Sequence, residues 1–446
     1  MNVPPELIVL LDRVVVGTLT PLPASHVYRF RYTDRWIHDP YAYPVSLALP
    51  LAAPGYEGVP VRNWLRGLLP DNETRLREVE REFAVSRDDP YAVLAHIGED
   101  CVGAVQFARP ERAQEIASGR AKSDIEWLDE ATLETLLGEV AARATPDRRA
   151  VRTGQFSLPG ALGKVALVRD EAGGRWGRPT GQWPSTHILK PPMPGVAWHN
   201  ENEHYCLRLA EAAGLPAVAS EIVRAGARSA ISVLRYDRDR HPDGGLSRLH
   251  QEDMAQALGL DPQLKYAAEG GAGVREIVRL LRDYAHPDDV GAFIRYVGFS
   301  WITAATDAHL RNFSVLITAS QTARLAPLYD LASALGLPTG RGRRAPLRLA
   351  MSIGGTTALD EIDRAAWERE IQRSRLPKSV LADLGALCGR VAEEAGGVAE
   401  RLIVEEGLDA RYLRRLARDL AARANGCQLR LSRLLLNGRS QTVIDH

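Results

Sequence analysis

Four side chains, Lys190, Asp307, Asn312 and Asp330, have the types and the order that phosphoryl transfer can use. That chemistry is mostly positioning and charge neutralisation. It needs a cation and backbone amides on the phosphates, one or two magnesium ions held by oxygen ligands, and an acid to orient the nucleophilic hydroxyl. In "TDAHLRN" (306–312) the spacing of Asp307 and Asn312 lets a carboxylate face an incoming hydroxyl while the amide oxygen turns toward a metal. In "LAPLYDLASA" a strand is expected to end at Tyr329, and Asp330 opens the next loop with a hard carboxylate of the kind magnesium prefers. Lys190 closes the apolar strand "THILK", and Glu203, in the helix that follows, is a candidate to pair with it. The chain has 51 arginines and only five lysines, so a retained lysine points to a compact ammonium on a flexible stem. Taken singly, each residue has a plainer reading. Asp307 can turn the chain while Asn312 bonds its own loop, Asp330 can cap a helix, and Lys190 can sit at a strand end on the surface. A metal site built on Asp307 and His309 lacks a further ligand at suitable spacing.

Elements that would position these residues follow from the patterning. Residues 1–110 read as a small α+β unit, with strands in "LIVLLDRVVVGTL", "VYRFRY", "YPVSLALPL" and "GAVQFA" and a helix in "DNETRLREVEREF". Residues 111–150 are polar and charged with one amphipathic helix, and read as a connector. In 151–236 a glycine turn, "SLPGALGK", runs into a strand. The Gly-rich loop "GRWGRPTGQWP", the strand "THILKPP", the helix "ENEHYCLRLAEAAGLP" and the strands "ASEIVRA" and "SAISVLRYDR" follow. Residues 237–446 are mainly helical, including "HQEDMAQALGL", except for a hairpin from "NFSVLIT" to "ARLAPLY". The expected fold class is α+β: a two-lobed, protein-kinase-like core, small antiparallel sheet lobe plus helical lobe, behind an N-terminal α+β accessory domain. The Asp307–Asn312 separation matches that of a kinase catalytic loop, and "THILK" is similar to the kinase strand that ends in a phosphate-contacting lysine. Gly160 and Gly163 can close over phosphates, although neither G-x-G-x-x-G nor G-x-x-x-x-G-K-[ST] is present.

Composition narrows the function classes. The formal net charge is zero, which gives no global argument for a nucleic-acid or membrane partner. The four cysteines are widely spaced, with no zinc or disulfide pattern, and no apolar run is long enough for a signal peptide or a membrane span. A soluble, cytoplasmic protein is expected. Three further stretches stay open between structure and function: "HQEDMAQALGL" through His250, Glu252 or Asp253; "KYAAEGGAG" with Lys265, as a docking or moving loop; and the basic C-terminal helix "RYLRRLARDLAARANGCQLRLSRLL", as a DNA contact or a solvated face.

Ser157 with its glycine turn, Lys190, Glu203, "VLRYDR", "RLHQEDMAQALGL", "KYAAEGGAG", "TDAHLRN", "LAPLYDLASA" and "LAMSIGG" together resemble the HipA family of bacterial serine/threonine kinases, toxins of two-gene toxin–antitoxin modules. The resemblance extends over almost the whole chain. It implies Asp307 as catalytic acid or base, Asn312 and Asp330 as Mg2+ ligands, Lys190 on the ATP phosphates, His309 close to the nucleotide, and Leu234 to Tyr236 as the hinge for adenine. It implies Ser157 as an autophosphorylated serine that switches nucleotide binding off. It also implies a DNA-binding antitoxin as partner, with DNA reached only through it, and a translation protein such as an aminoacyl-tRNA synthetase as substrate. Leu162 stands where the family turn carries glutamine, so a side-chain contact there is lost. Two other classes remain: a catalytically silent scaffold or co-repressor, motivated by that turn, and a small-molecule kinase with a comparable catalytic loop.

Overall fold

The structure, a computed structural model, describes residues 3–23, 26–70, 73–142, 163–170, 174–264, 266, 271–319, 322–337 and 346–432. Its N-terminal domain is built on a five-stranded antiparallel sheet in the order Gly55–Glu57, Tyr28–Tyr32, Val14–Pro21, Leu7–Leu11, Val105–Ala108. "LIVLLDRVVVGTL" is a hairpin, turned at Asp12 and Arg13, both at positive φ. "YPVSLALPL" is not a strand. Its alternating apolar residues are buried on two sides instead: Val45 and Leu49 enter the N-terminal core and Leu47 enters the core of the helical lobe.

The small lobe is a six-stranded sheet in the order Ser220–Ala225, Arg228–Leu234, His187–Lys190, Val165–Arg169, Trp176–Gly181, Ser123–Leu128. Two of these strands depart from the sequence reading. The stretch read as a Gly-rich loop contributes Trp176–Gly181, and the stretch read as a connector contributes the edge strand Ser123–Leu128. Glycine is needed here for closeness rather than for a turn: a Cβ on Gly177 would lie 2.3 Å from Ile125 Cγ2.

The helical lobe packs Pro287–Thr303 against the long antiparallel pair Val380–Glu406 and Ala410–Ser432. The hairpin Ser314–Ile317 and Ala323–Leu325 is joined by a third strand, His250–Asp253, which the sequence pattern had assigned to the start of a helix. That strand's polar side chains meet the N-terminal domain: Glu252 accepts the Leu47 N–H at 2.8 Å and His250 Nε2 lies 3.0 Å from Val45 O. Only at Met254 does a helix begin, capped by Asp253 and Gln256 in a reciprocal box. His250 and Glu252 are therefore interface residues, while Asp253 stays within its own lobe, bonded to the Gln256 N–H and to Arg311. Among the described residues all four cysteines are free and buried, and no helix is long and apolar enough to cross a membrane.

Burial pushes the Glu252 carboxyl up to about 8, so it is held neutral between the two domains near pH 7. Its folded-state value lies above its unfolded one. Stability from this group is thus complete below the ordinary carboxylate range and is lost as pH rises toward 8. Wild type is expected to lose on the order of a few kcal/mol between pH 5 and pH 8 from this site, and Glu252→Gln to be flatter over that window. Urea unfolding at the two pH values measures the difference.

Candidate active site

The central feature of the cleft is a buried ammonium between two carboxylates. Lys190 lies at the end of a strand paired with Arg228–Leu234, and its Nζ donates to Glu203 Oε1 at 2.8 Å and to Asp330 Oδ1 at 2.5 Å. Burial alone would depress the lysine, but Asp330 and Glu203 more than offset it and hold the ammonium above the ordinary range. Burial likewise opposes the charged form of Asp330, yet Lys190, with help from Lys164, keeps that carboxyl below its ordinary value. The pair is ionised at neutral pH.

The helix His199–Ala212 aims Glu203 because its neighbouring residues are fixed to other elements. Asn200 Nδ2 donates to Lys190 O at 3.0 Å, and Asn202 exchanges two hydrogen bonds with the Ser333 backbone at 2.8 and 2.9 Å. His204 is fully buried between Ser220 Oγ at 2.8 Å and Glu406 Oε1 at 3.0 Å, and the Tyr205 hydroxyl donates to Ala395 O at 2.8 Å. The helix is thus tied to the helix Val380–Glu406 and to the loop that follows Asp330. Asp330 itself is at φ 53°, a left-handed backbone that few side chains adopt without local support.

Opposite stands the loop after Pro287–Thr303. That helix stops at Ala304, also at positive φ, and the chain turns through Asp307 to the short turn Leu310–Asn312. Asn312 Nδ2 donates to Asp307 O at 2.8 Å, which uses the amide nitrogen inside the loop and leaves the amide oxygen as its acceptor. His309 is fully buried; its Nδ1 accepts the Arg311 N–H at 3.2 Å, so a neutral ring carries its proton on Nε2, 3.8 Å from Asp307 Oδ1. The same Oδ1 accepts from the Tyr266 hydroxyl at 3.2 Å, and the Tyr266 ring meets the His309 ring edge-on. His309 therefore faces Asp307 from beneath the loop.

Asp307, Asn312 and Asp330 line one cleft together with Glu203, His199 and Tyr329. Among the described residues no three His, Cys, Asp or Glu side chains cluster as a metal cage. One carboxylate and one amide, with water and phosphate completing the shell, is the pattern in which magnesium is commonly held. At the hinge, the Leu234 N–H donates to Ala219 O and the Arg235 N–H to Thr186 O, both at 2.9 Å, so neither amide is available to adenine. The Tyr236 ring stacks on Tyr329, 5.8 Å between centroids, which ties the hinge to the residue before Asp330. Gly163 packs against the end of the helix Glu130–Ala142, where a Cβ would fall 2.0 Å from Val140 O. Ser157, Gly160, Leu162 and Lys265 lie outside the described residues. Sequence reasoning missed Asn202, His199, Tyr266 and Arg311. Tyr266 and Arg311 carried a signal, through the loop "KYAAEGGAG" and the heptad "TDAHLRN".

The description HipA-like C-terminal domain matches residues 156–395, and HipA N-terminal domain matches residues 7–108. The chain is 36% identical over 342 residues to "Putative kinase Y4mE" of Sinorhizobium fredii, covering 76% of this chain and 79% of that one. It is 26% identical over 349 residues to the serine/threonine-protein kinase toxin HipA of Shewanella oneidensis, covering 72% and 74% of the two. A chain of the solved Shewanella oneidensis complex of HipA, HipB and operator DNA superposes with a TM-score of 0.81 over 95% of this chain and 98% of its own length, at 22% identity. That likeness is one of fold, and it extends over both the N-terminal domain and the two lobes. The two domain matches, the C-terminal one spanning more than half of the chain, place it in the HipA family of kinases.

Proposed function

We propose that the chain is an ATP- and Mg2+-dependent serine/threonine protein kinase, the toxin component of a toxin–antitoxin system. The observation that carries this reading is the Lys190 ammonium held at 2.8 Å from Glu203 and 2.5 Å from Asp330, across the cleft from Asp307 and Asn312. The donor set fits magnesium–ATP: a hard carboxylate at Asp330, an amide oxygen at Asn312, and a cation already ionised where phosphates would lie. When bound, that group supplies the transferable phosphoryl and neutralises charge on its oxygens. Glu203 fixes the direction of Lys190, which can then be shared between Asp330 and phosphate oxygens. Asp307 orients the acceptor hydroxyl and takes its proton on the carboxylate, while Asn312, through its bond to Asp307 O, keeps that carboxylate in register.

Ser157, in the glycine turn, is the proposed site of autophosphorylation. A phosphate there would place about two negative charges where the ATP phosphates must sit, which accounts physically for self-inhibition. The proposed partner is a DNA-binding antitoxin similar to HipB, with DNA reached only through it. The proposed substrate is a protein of translation such as an aminoacyl-tRNA synthetase, encountered in the cytoplasm, and the matched Shewanella oneidensis complex of HipA with HipB and operator DNA supports the partner. Phosphoproteomics of a bacterial host expressing wild type or Asp307→Asn tests the reading. New phosphoserine or phosphothreonine on a translation protein, and on Ser157, is expected in wild type alone. Phosphate appearing on a metabolite and on no protein would favour a small-molecule kinase instead.

A further inference from the structure

Arg311 stands inside the catalytic loop, one residue before Asn312, yet its side chain leaves the cleft. Its Nε donates to Asp253 Oδ2 at 3.0 Å, and its terminal nitrogen donates to Gly67 O at 3.3 Å. Gly67 ends the helix Val59–Gly67 of the N-terminal domain, so its carbonyl is among those a helix leaves without an internal partner, at the end that favours a cation. Asp253 is fixed in turn, its Oδ1 accepting the Gln256 N–H at 2.9 Å. Gln256 packs onto the same glycine, where a Cβ would lie 2.5 Å from its Cγ. Arg311 and Asp253 are nearly buried, at 14% and 10% side-chain exposure, so this is not a solvated surface pair. The Arg311 carbonyl accepts from the Tyr329 hydroxyl at 2.9 Å, and Tyr329 precedes Asp330.

We propose that Arg311 is a positioning residue through which the N-terminal domain holds the catalytic loop and the Asp330 segment in register. The N-terminal domain is then part of the working kinase rather than only an appended module. The arginine suits the task because its planar fork serves two acceptors on different domains at once, which an ammonium cannot match. Asp307 and Asn312 are within a few residues of this anchor, and a shift of about 1 Å in such groups can lower a rate by about 10²-fold. A second contact in the same interface, Arg66 to Asp261 at 2.6 Å, joins the same two domains without touching the catalytic loop, which makes it the natural comparison.

The inference rests on the kinase reading, and the experiment separates the two. Transfer from labelled ATP to protein is measured in single turnover at saturating ATP and Mg2+, with ATP affinity measured by calorimetry, for wild type, Arg311→Met, Arg311→Lys and Arg66→Ala. Arg311→Met is expected to lose at least about tenfold in transfer rate with ATP affinity within about threefold of wild type, which a general loss of fold would not produce. Arg311→Lys is expected to recover part of the rate, and Arg66→Ala to stay within about twofold of wild type. Should Arg311→Met fail to fold, the lysine variant carries the test, with a rate between about twofold and tenfold below wild type expected. Wild-type rates in Arg311→Met or, failing its folding, in Arg311→Lys overturn the proposal. So does an equal loss in Arg66→Ala, which would assign the effect to the interface as a whole. A wild-type chain that binds ATP and transfers nothing sinks the kinase reading and this inference with it.

Discussion

Asp307→Asn is expected to abolish transfer, by about 10²- to 10⁴-fold, while leaving ATP binding close to wild type. The substitution keeps the shape of the side chain and removes its basicity. The residue's surroundings argue that the fold will tolerate it: its backbone carbonyl holds Asn312 at 2.8 Å, and that bond does not depend on the carboxylate. What changes is the atom proposed to receive the proton. Oδ1 accepts from the Tyr266 hydroxyl at 3.2 Å and faces His309 Nε2 at 3.8 Å, so both neighbours support a negative charge at that point. Single-turnover transfer and calorimetric ATP binding, measured on one preparation, separate loss of chemistry from loss of binding.

Lys190→Met is expected to have the second large effect, and on two observables. Removing the ammonium leaves Glu203, whose side chain is 2% exposed, without the cation that compensates it, and leaves Asp330 without its nearest partner. Breaking a buried pair from one side typically costs about 3–5 kcal/mol. Asp330 is 37% exposed, and solvent offsets part of that cost on its side. A drop in Tm of several degrees is expected, together with loss of measurable ATP affinity. Lys190→Arg is expected to recover stability but not activity, since a rigid planar fork does not reproduce a small ammonium between two carboxylates and a phosphate. Thermal unfolding followed by ATP titration of both variants checks each half. Unchanged ATP affinity in Lys190→Met would remove the lysine from the nucleotide site.

The parts of this site that were legible in the sequence are those set by local pattern. An apolar strand stopping at Lys190 and a helix stopping before Asp307 are transitions written within a few residues of each chemical group; the strand expected to end at Tyr329 instead ends at Leu325, and only Leu328 bridges, to Ala217, before Asp330. What the sequence hid is long-range. Asn202 meets Ser333 across 131 positions and Arg311 meets Gly67 across 244, and no periodicity encodes such a partner. The fold shows the same division. "HQED" looked like the polar start of a helix and is a strand, because its backbone pairs with Ser314–Ile317 while His250 and Glu252 reach the N-terminal domain. "YPVSLALPL" alternates like a strand, yet Leu47 and its neighbours Val45 and Leu49 are buried in different cores. Ser123–Leu128 reads as polar connector because it is an edge strand, with most of its side chains exposed.

The central claim is that this cleft moves the γ-phosphoryl of ATP to a protein hydroxyl. Incubating the purified chain with γ-labelled ATP and Mg2+ and counting label retained on protein tests it most directly. The account predicts label on serine or threonine that disappears when the metal is chelated. A chain that retains no label on protein under these conditions, even while binding ATP, would contradict it.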